Sequence, residues 1–164
     1  SKLLSTFLTQ DHNCKDPSLR SFGENTMADM NQQDIAEYLA EAHVAHMVTI
    51  RPNGRPQVAP VWFLEDDGKA FVMADANAMK VRNIRRNPAV TLSIATDQRP
   101  LKYAVLNGNA KLFEGDIAPM LERILVRYDG PGRGAERAKE LLAEDRMALI
   151  EVQLTRLIGW KDGD

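Results

Sequence analysis

Ile35, Ala36, Leu39 and Ala42 repeat at helical spacing behind Asn31, with Asp34 three residues after it, a capping-box-like opening for a first helix. From Val44 the period becomes extended. Residues 44–50 are rich in β-branched side chains, and Pro52-Asn53-Gly54 is a hairpin signal. A second strand is predicted over 57–64, a turn at Glu65-Asp66-Asp67-Gly68, and a third strand over 69–74, so that the sheet opens as a β-meander. Val81 and Ile84 give a short helix one apolar edge, and Pro88 stops it, because the residue before proline is pushed out of the α region. Further strands are expected over 90–95, 103–106 and, past a bulge or bend at Gly108, 110–113. Two helices follow over 117–128 and 135–143, with the glycine-rich stretch 129–134 read as a flexible connection or lid. A last long strand at 147–153 and a short ending at 157–160 complete the pattern.

Six or seven strands, short turns and only peripheral helices predict a mainly β fold, an antiparallel sheet that closes on itself. A parallel βαβ sheet would need a helix after nearly every strand, and the first three strands have none between them. No repeat or linker divides the chain after residue 27. Residues 1–26 mix Asp11, His12, Asn13, Lys15, Asp16 and Pro17 with scattered apolar positions, and Met27 resembles a natural start. The expectation is an N-terminal extension, poorly packed or lying on a partner subunit, before one domain over 27–164. The arm lacks the apolar core and cleavage site of a signal peptide.

Composition narrows the chemistry. Apolar residues make up 44% of the 164 positions and charged residues 27%, as in ordinary globular proteins, and the net charge of −2 offers no global attraction to nucleic acid or membrane. No apolar run reaches the length of a spanning helix. Cys14 is the single cysteine, which excludes an intrachain disulfide and a multi-cysteine metal site and suits a reducing cytoplasm. His12, His43 and His46 lack helical metal-pair spacing, no G-x-S-x-G is present, and the 129–134 loop lacks the ending of a P-loop.

Two segments remain. Lys80, Arg82, Arg85 and Arg86 concentrate positive charge in a chain that is negative overall, and Lys80, Asn83 and Arg86 fall near one side of a helix. That is a phosphate-binding arrangement, strengthened by the free N–H groups of a helix start, or else a solvated basic face. In the strand 57–62, Pro60 suits an edge or bulge, and its small apolar neighbours would let a flat ring lie against the backbone. The alternative is an edge strand with Trp62 filling the core.

Residues 45–61, AHMVTIRPNGRPQVAPV, with the later KVRNIRRNP of 80–88 and YAVLNGNA of 103–110, resemble the pyridoxamine-phosphate-oxidase-like split-barrel superfamily over about 34–160. The resemblance implies a split β-barrel homodimer that holds a flavin-type cofactor at the dimer interface. Within it, the chain is most similar to the branch that uses coenzyme F420, a deazaflavin. Val58 and Ala74 stand where FMN oxidases commonly place an arginine and a threonine for the FMN phosphate. The resemblance implies ring contacts from Val58, Ala59 and Pro60, phosphate contacts along Lys80, Val81, Asn83, Ile84 and Arg86, and further cofactor contacts from Met73, Ala74, Met79 and Tyr103.

The implied activity is hydride transfer from reduced F420 to an unsaturated small-molecule acceptor such as a quinone, tetrapyrrole or conjugated ketone, with Tyr103 as a candidate proton donor. An FMN-dependent oxidoreductase, and a non-catalytic flavin, F420 or haem carrier using His43 or His46, are the alternatives. Replacing Lys80 by alanine is expected to weaken cofactor binding by about 1.5–3 kcal/mol, the worth of one charge-assisted contact. Titration of the purified variant measures it, and unchanged affinity removes Lys80 from the site.

Overall fold

The computed structural model describes residues 28–162; the extension expected over 1–26, with His12 and Cys14, lies outside the described residues. In chain order the elements are β1 (Ala28–Asp29), α1 (Gln32–Ala40), β2 (Ala45–Ile50), β3 (Pro56–Val61), β4 (Phe63–Asp66), β5 (Lys69–Asp75), α2 (Met79–Arg86), β6 (Ala89–Ala95), β7 (Lys102–Leu112), α3 (Ala118–Asp129), α4 (Pro131–Ala143) and β8 (Met147–Lys161). The predicted capping box forms: Asp34 N–H donates to Asn31 Oδ1 at 2.9 Å, and Asn31 N–H donates to Asp34 Oδ2 at 3.2 Å.

All strand pairs are antiparallel, in the order β3-β2-β6-β7-β8-β5-β4, with β1 added to the end of β8. The predicted second strand over 57–64 is two strands. Val61 pairs with Ala45 of β2, whereas Phe63 pairs with Val72 of β5, and Trp62 alone separates them. One bent run therefore supplies both ends of the sheet, and the sheet must roll into a barrel for a single residue to span them. The β4–β5 hairpin turns on Asp67 and Gly68, both at positive φ (51° and 78°), the pattern that matches strand twist.

Two pairs of predicted strands each prove to be one. β7 runs unbroken through Gly108, and β8 through the gap expected after residue 153. The bulge is real, but its extra residue belongs to β8: Asn107 pairs with Arg156 and Gly108 with Leu154, leaving Thr155 over. A Cβ on Gly108 would stand 2.4 Å from the Gln153 carbonyl oxygen, so glycine permits the strands' close approach. The 129–134 stretch is also not a flexible connection. Gly130 is the single residue between α3 and α4, Pro131 opens α4, and a Cβ on Gly134 would meet the Val126 backbone at 2.6 Å. Those glycines let the two helices touch.

The barrel interior is one apolar cluster that includes Met47, Phe63, Val72, Leu92, Leu106 and Ile150. α1 adds Ile35, Tyr38 and Leu39 to it, and α2 adds Val81 and Ile84. β2 and β7 run in the same direction, because each is antiparallel to β6. α1 meets the start of β7, where Tyr38 Oη donates to the Lys102 carbonyl at 3.3 Å. α2 meets the far end of β2, at Thr49 and Ile50, so the two helices close opposite ends.

Outside the barrel, α3 and α4 cover Leu64, Phe71, Met73 and Leu149. Among the described residues, nothing covers the outer face of β3, β2, β6 and the first half of β7. By register and alternation it presents Val58 and Pro60, His46 and Val48, Thr91 and Ser93, then Tyr103 and Val105, and it continues onto Ile158 of β8. Val58 is 57% exposed, Tyr103 39% and Ile158 37%. A Gly108→Ala substitution is expected to cost about 1–3 kcal/mol of stability by overpacking the bulge, read from the urea midpoint at unchanged m-value.

Candidate functional site

α2 is anchored by its inward residues. Val81 and Ile84 enter the core, and Asn83, 1% exposed, donates through Nδ2 to Thr49 Oγ1 at 2.9 Å. Thr49 is fully buried on β2 and donates in turn to Gln57 Oε1 of β3 at 2.9 Å. This docking turns Met79, Arg82 and Arg86, at helical spacing, toward the β2–β3 turn. Between them and Arg51-Pro52-Asn53 lies a cleft of about 410 Å³, lined by Arg51, Pro52, Asn53, Met79, Arg82, Asn83 and Arg86. Three guanidinium groups and no carboxylate surround it. Arg86 is held across its mouth by a 3.2 Å bond from Nη2 to the Ile50 carbonyl.

The anchoring relay leaves one atom unsatisfied: Asn83 Oδ1 is buried without a hydrogen-bond partner. A buried polar group in that state costs about 1–3 kcal/mol. Rotating the terminal amides of Asn83 and Gln57 by 180° reverses the relay with the same heavy-atom positions. Gln57 then donates to Thr49, Thr49 donates to Asn83 Oδ1, and the Asn83 NH₂ becomes the group with a bond to give. An anion in the cleft would accept it while meeting three positive charges. A phosphate-bearing cofactor therefore fits this donor set.

The residues expected to form the site divide. Met79, Asn83 and Arg86 line the cleft; Lys80 does not. Lys80 is half-buried at the side of α2, where burial pulls its ammonium below the usual lysine range and Asp75 partly opposes that. Ala74, Val81 and Ile84 turn their side chains into the core, and Met73 packs beneath α3 and α4, which leaves these four side chains engaged in packing. Val58 and Pro60 face outward on β3, an edge strand as the proline requires, while Ala59 is half-buried on the opposite side. Tyr103 lies at the far end of the bare face, stacked on Trp160 at 5.6 Å between centroids.

Arg51 joins the cleft although its one local signal is its position immediately before the hairpin turn, which the β2–β6 pairing sets beside α2. Arg82, which the sequence shows only as helix charge, sits with Arg86 because Asn83 points inward.

Trp62, at the break between β3 and β4, stacks on Tyr128 of α3 at 4.6 Å with the rings 4° from parallel. Tyr128 Oη accepts from Phe63 N–H at 3.2 Å and donates to the His43 carbonyl at 2.6 Å. Burial pushes the Tyr128 phenol above its usual range, so it stays a donor at neutral pH. Arg127 lies over the Phe63 and Tyr128 rings and donates to the Leu39 and Glu41 carbonyls. Among the described residues no group of three or more histidine, cysteine or carboxylate side chains is placed to hold a metal, and no helix is long and apolar enough to cross a membrane.

Comparison with solved structures places this architecture among known split barrels. A conserved hypothetical protein from Mycobacterium tuberculosis superposes with TM-score 0.67 at 23% identity, covering 80% of this chain and 85% of that one. A structure described as an F420 reductase gives TM-score 0.59 at 26% identity, over 74% and 93%. The haem storage protein HutZ of Vibrio cholerae gives 0.62 at 23%, over 80% and 94%. Comparison with the curated proteins finds no match. The profile of the pyridoxamine 5'-phosphate oxidase family spans residues 32–160, from the first residue of α1 to the penultimate residue of β8, and by that match the chain belongs to this family.

Proposed function

We propose that the protein is an F420-dependent oxidoreductase that reduces an unsaturated organic acceptor by hydride transfer. The observation that supports this most is the arginine cleft: three guanidiniums, no carboxylate and a buried amide with one unmade bond. Arg51, Arg82, Arg86 and Asn83 would hold the phosphate and acidic tail of the deazaflavin, with Lys80 adding charge from the side of α2. Val58 and Pro60 supply a small, apolar outward surface for the ring, next to the cleft along β3. When bound, the cofactor supplies the hydride; the chain supplies position, charge and exclusion of water.

The similarity to an F420 reductase supports the cofactor, as does the absence of the arginine and threonine that FMN oxidases commonly present, here Val58 and Ala74. A second copy of the chain is the proposed cover for the bare face. From β3 across to Val105 of β7 its outward positions include no Asp, Glu, Lys or Arg, and a broad face with so little charge supports an interaction surface. A homodimer would bury it and enclose the ring.

Titration of the purified protein with F420 and with FMN in parallel tests the reading, and preference for F420 is the expected result. Arg82→Ala and Arg51→Ala should each weaken F420 binding by about 1.5–3 kcal/mol and flatten its salt dependence. Tighter binding of FMN, or a haem Soret band in the isolated protein, would replace this reading with one of the alternatives.

A further inference from the structure

Two histidines near the start of β2 point to opposite sides of the sheet. His43 turns toward the core, its ring 4.6 Å from that of the buried Tyr38, while His46 is exposed on the other side. Strand alternation groups His46 with Val48 and Ile50. Their partners carry that outward face onto Val58 and Pro60 of β3 and onto Thr91 and Ser93 of β6. Among the described outward residues of these three strands, His46 is the one titratable side chain.

Register fixes its place relative to the arginine cleft. Arg51, on the cleft wall, follows β2 directly, and His46 lies five residues back along the strand, roughly 17 Å away at the rise of extended chain. Val48 and its partner Val58 lie between. His46 pairs directly with Pro60, so the two side chains leave the sheet about 5 Å apart. Side chains stand nearly perpendicular to a sheet. A flat ring lying on Val58 and Pro60 therefore has small apolar groups beneath it and the imidazole rising at its edge.

The other hydrogen-bonding groups of this face are less well placed. Thr91 Oγ1 already donates to Asn107 Oδ1 at 2.8 Å. Ser93 is shorter and one strand further from Pro60, behind His46. Tyr103 belongs to β7, three strands from β3 and about 14 Å across the sheet, and its ring is stacked on Trp160. Flavins and deazaflavins share an imide edge, an N–H flanked by two carbonyl oxygens. A neutral imidazole carries one donor and one acceptor nitrogen, so it can pair with that edge.

Resting on the proposed function, we infer that His46 is a binding residue for the cofactor's ring, hydrogen-bonded to its imide edge, and that Tyr103 lies outside the ring's site. The contact gives the ring one orientation, with the imide toward β2 and the tail toward Arg51.

Protein labelled with 15N-histidine, titrated with F420 and separately with FMN, tests this. The two ligands share the imide edge, whereas the ring hydroxyl belongs to F420 alone. Saturable shifts of the His46 ring signals are expected with both, with the His43 signals unmoved on the far side of the sheet. His46→Ala should weaken F420 binding about 5-fold, the worth of one hydrogen bond to an uncharged group, and Tyr103→Phe should leave it unchanged. His46→Gln, which keeps a donor and an acceptor, should restore most of the loss. His46 signals unmoved at saturating ligand would overturn the inference, and signals moved by F420 alone would put the hydroxyl end against His46 and overturn it too. So would a loss in His46→Ala that His46→Gln does not repair, which marks packing alone. Failure of F420 to bind sinks the proposed function instead, and the FMN titration still reads the imide contact.

Discussion

A sheet whose first and last strands are consecutive in the chain has one way to exist, which is to curl until the two meet. Here Trp62 is the only residue between β3 and β4, and its indole is clamped flat against Tyr128 while Tyr128 grips the Phe63 N–H and the His43 carbonyl. Within the sheet so curled, β2 pairs with β6, which α2 immediately precedes, and this pairing sets the β2–β3 turn beside α2 and Arg51 beside Arg82.

The interior constraint is matched by a polar one. Thr49, Asn83 and Gln57 form a buried chain of side-chain hydrogen bonds linking α2 to two strands, in a barrel whose other contents are almost wholly apolar. A chain of three such groups can run in either direction, and each direction leaves a different group at the cleft. Under the proposed function, binding of an anion would select one of them, and the asparagine that fixes the helix would also serve the cleft.

Much of this was legible in the sequence. The change of period at Val44, the Asp67-Gly68 turn and the capping box at Asn31 act through neighbours a few residues away, and each appears where expected. What failed was long-range. A strand split at Trp62 looks continuous because both halves are extended; the partners that separate them, Ala45 and Val72, are distant in the chain. Gly134 looks like flexibility in the sequence because its helical role depends on how closely α4 approaches Val126. The charge of the cationic helix is plain in the sequence, but which of its faces lines the cleft depends on the inward direction of Asn83, which Thr49 decides from 34 residues away.

The structure of the protein crystallised with F420 tests the central claim most directly. The account predicts the phosphate oxygens within hydrogen-bonding distance, about 2.7–3.2 Å, of the Arg82 and Arg86 guanidiniums and the Asn83 amide, with the ring on the outward side of Val58 and Pro60. A phosphate bound elsewhere, with Arg51, Arg82 and Arg86 left to solvent, would contradict it.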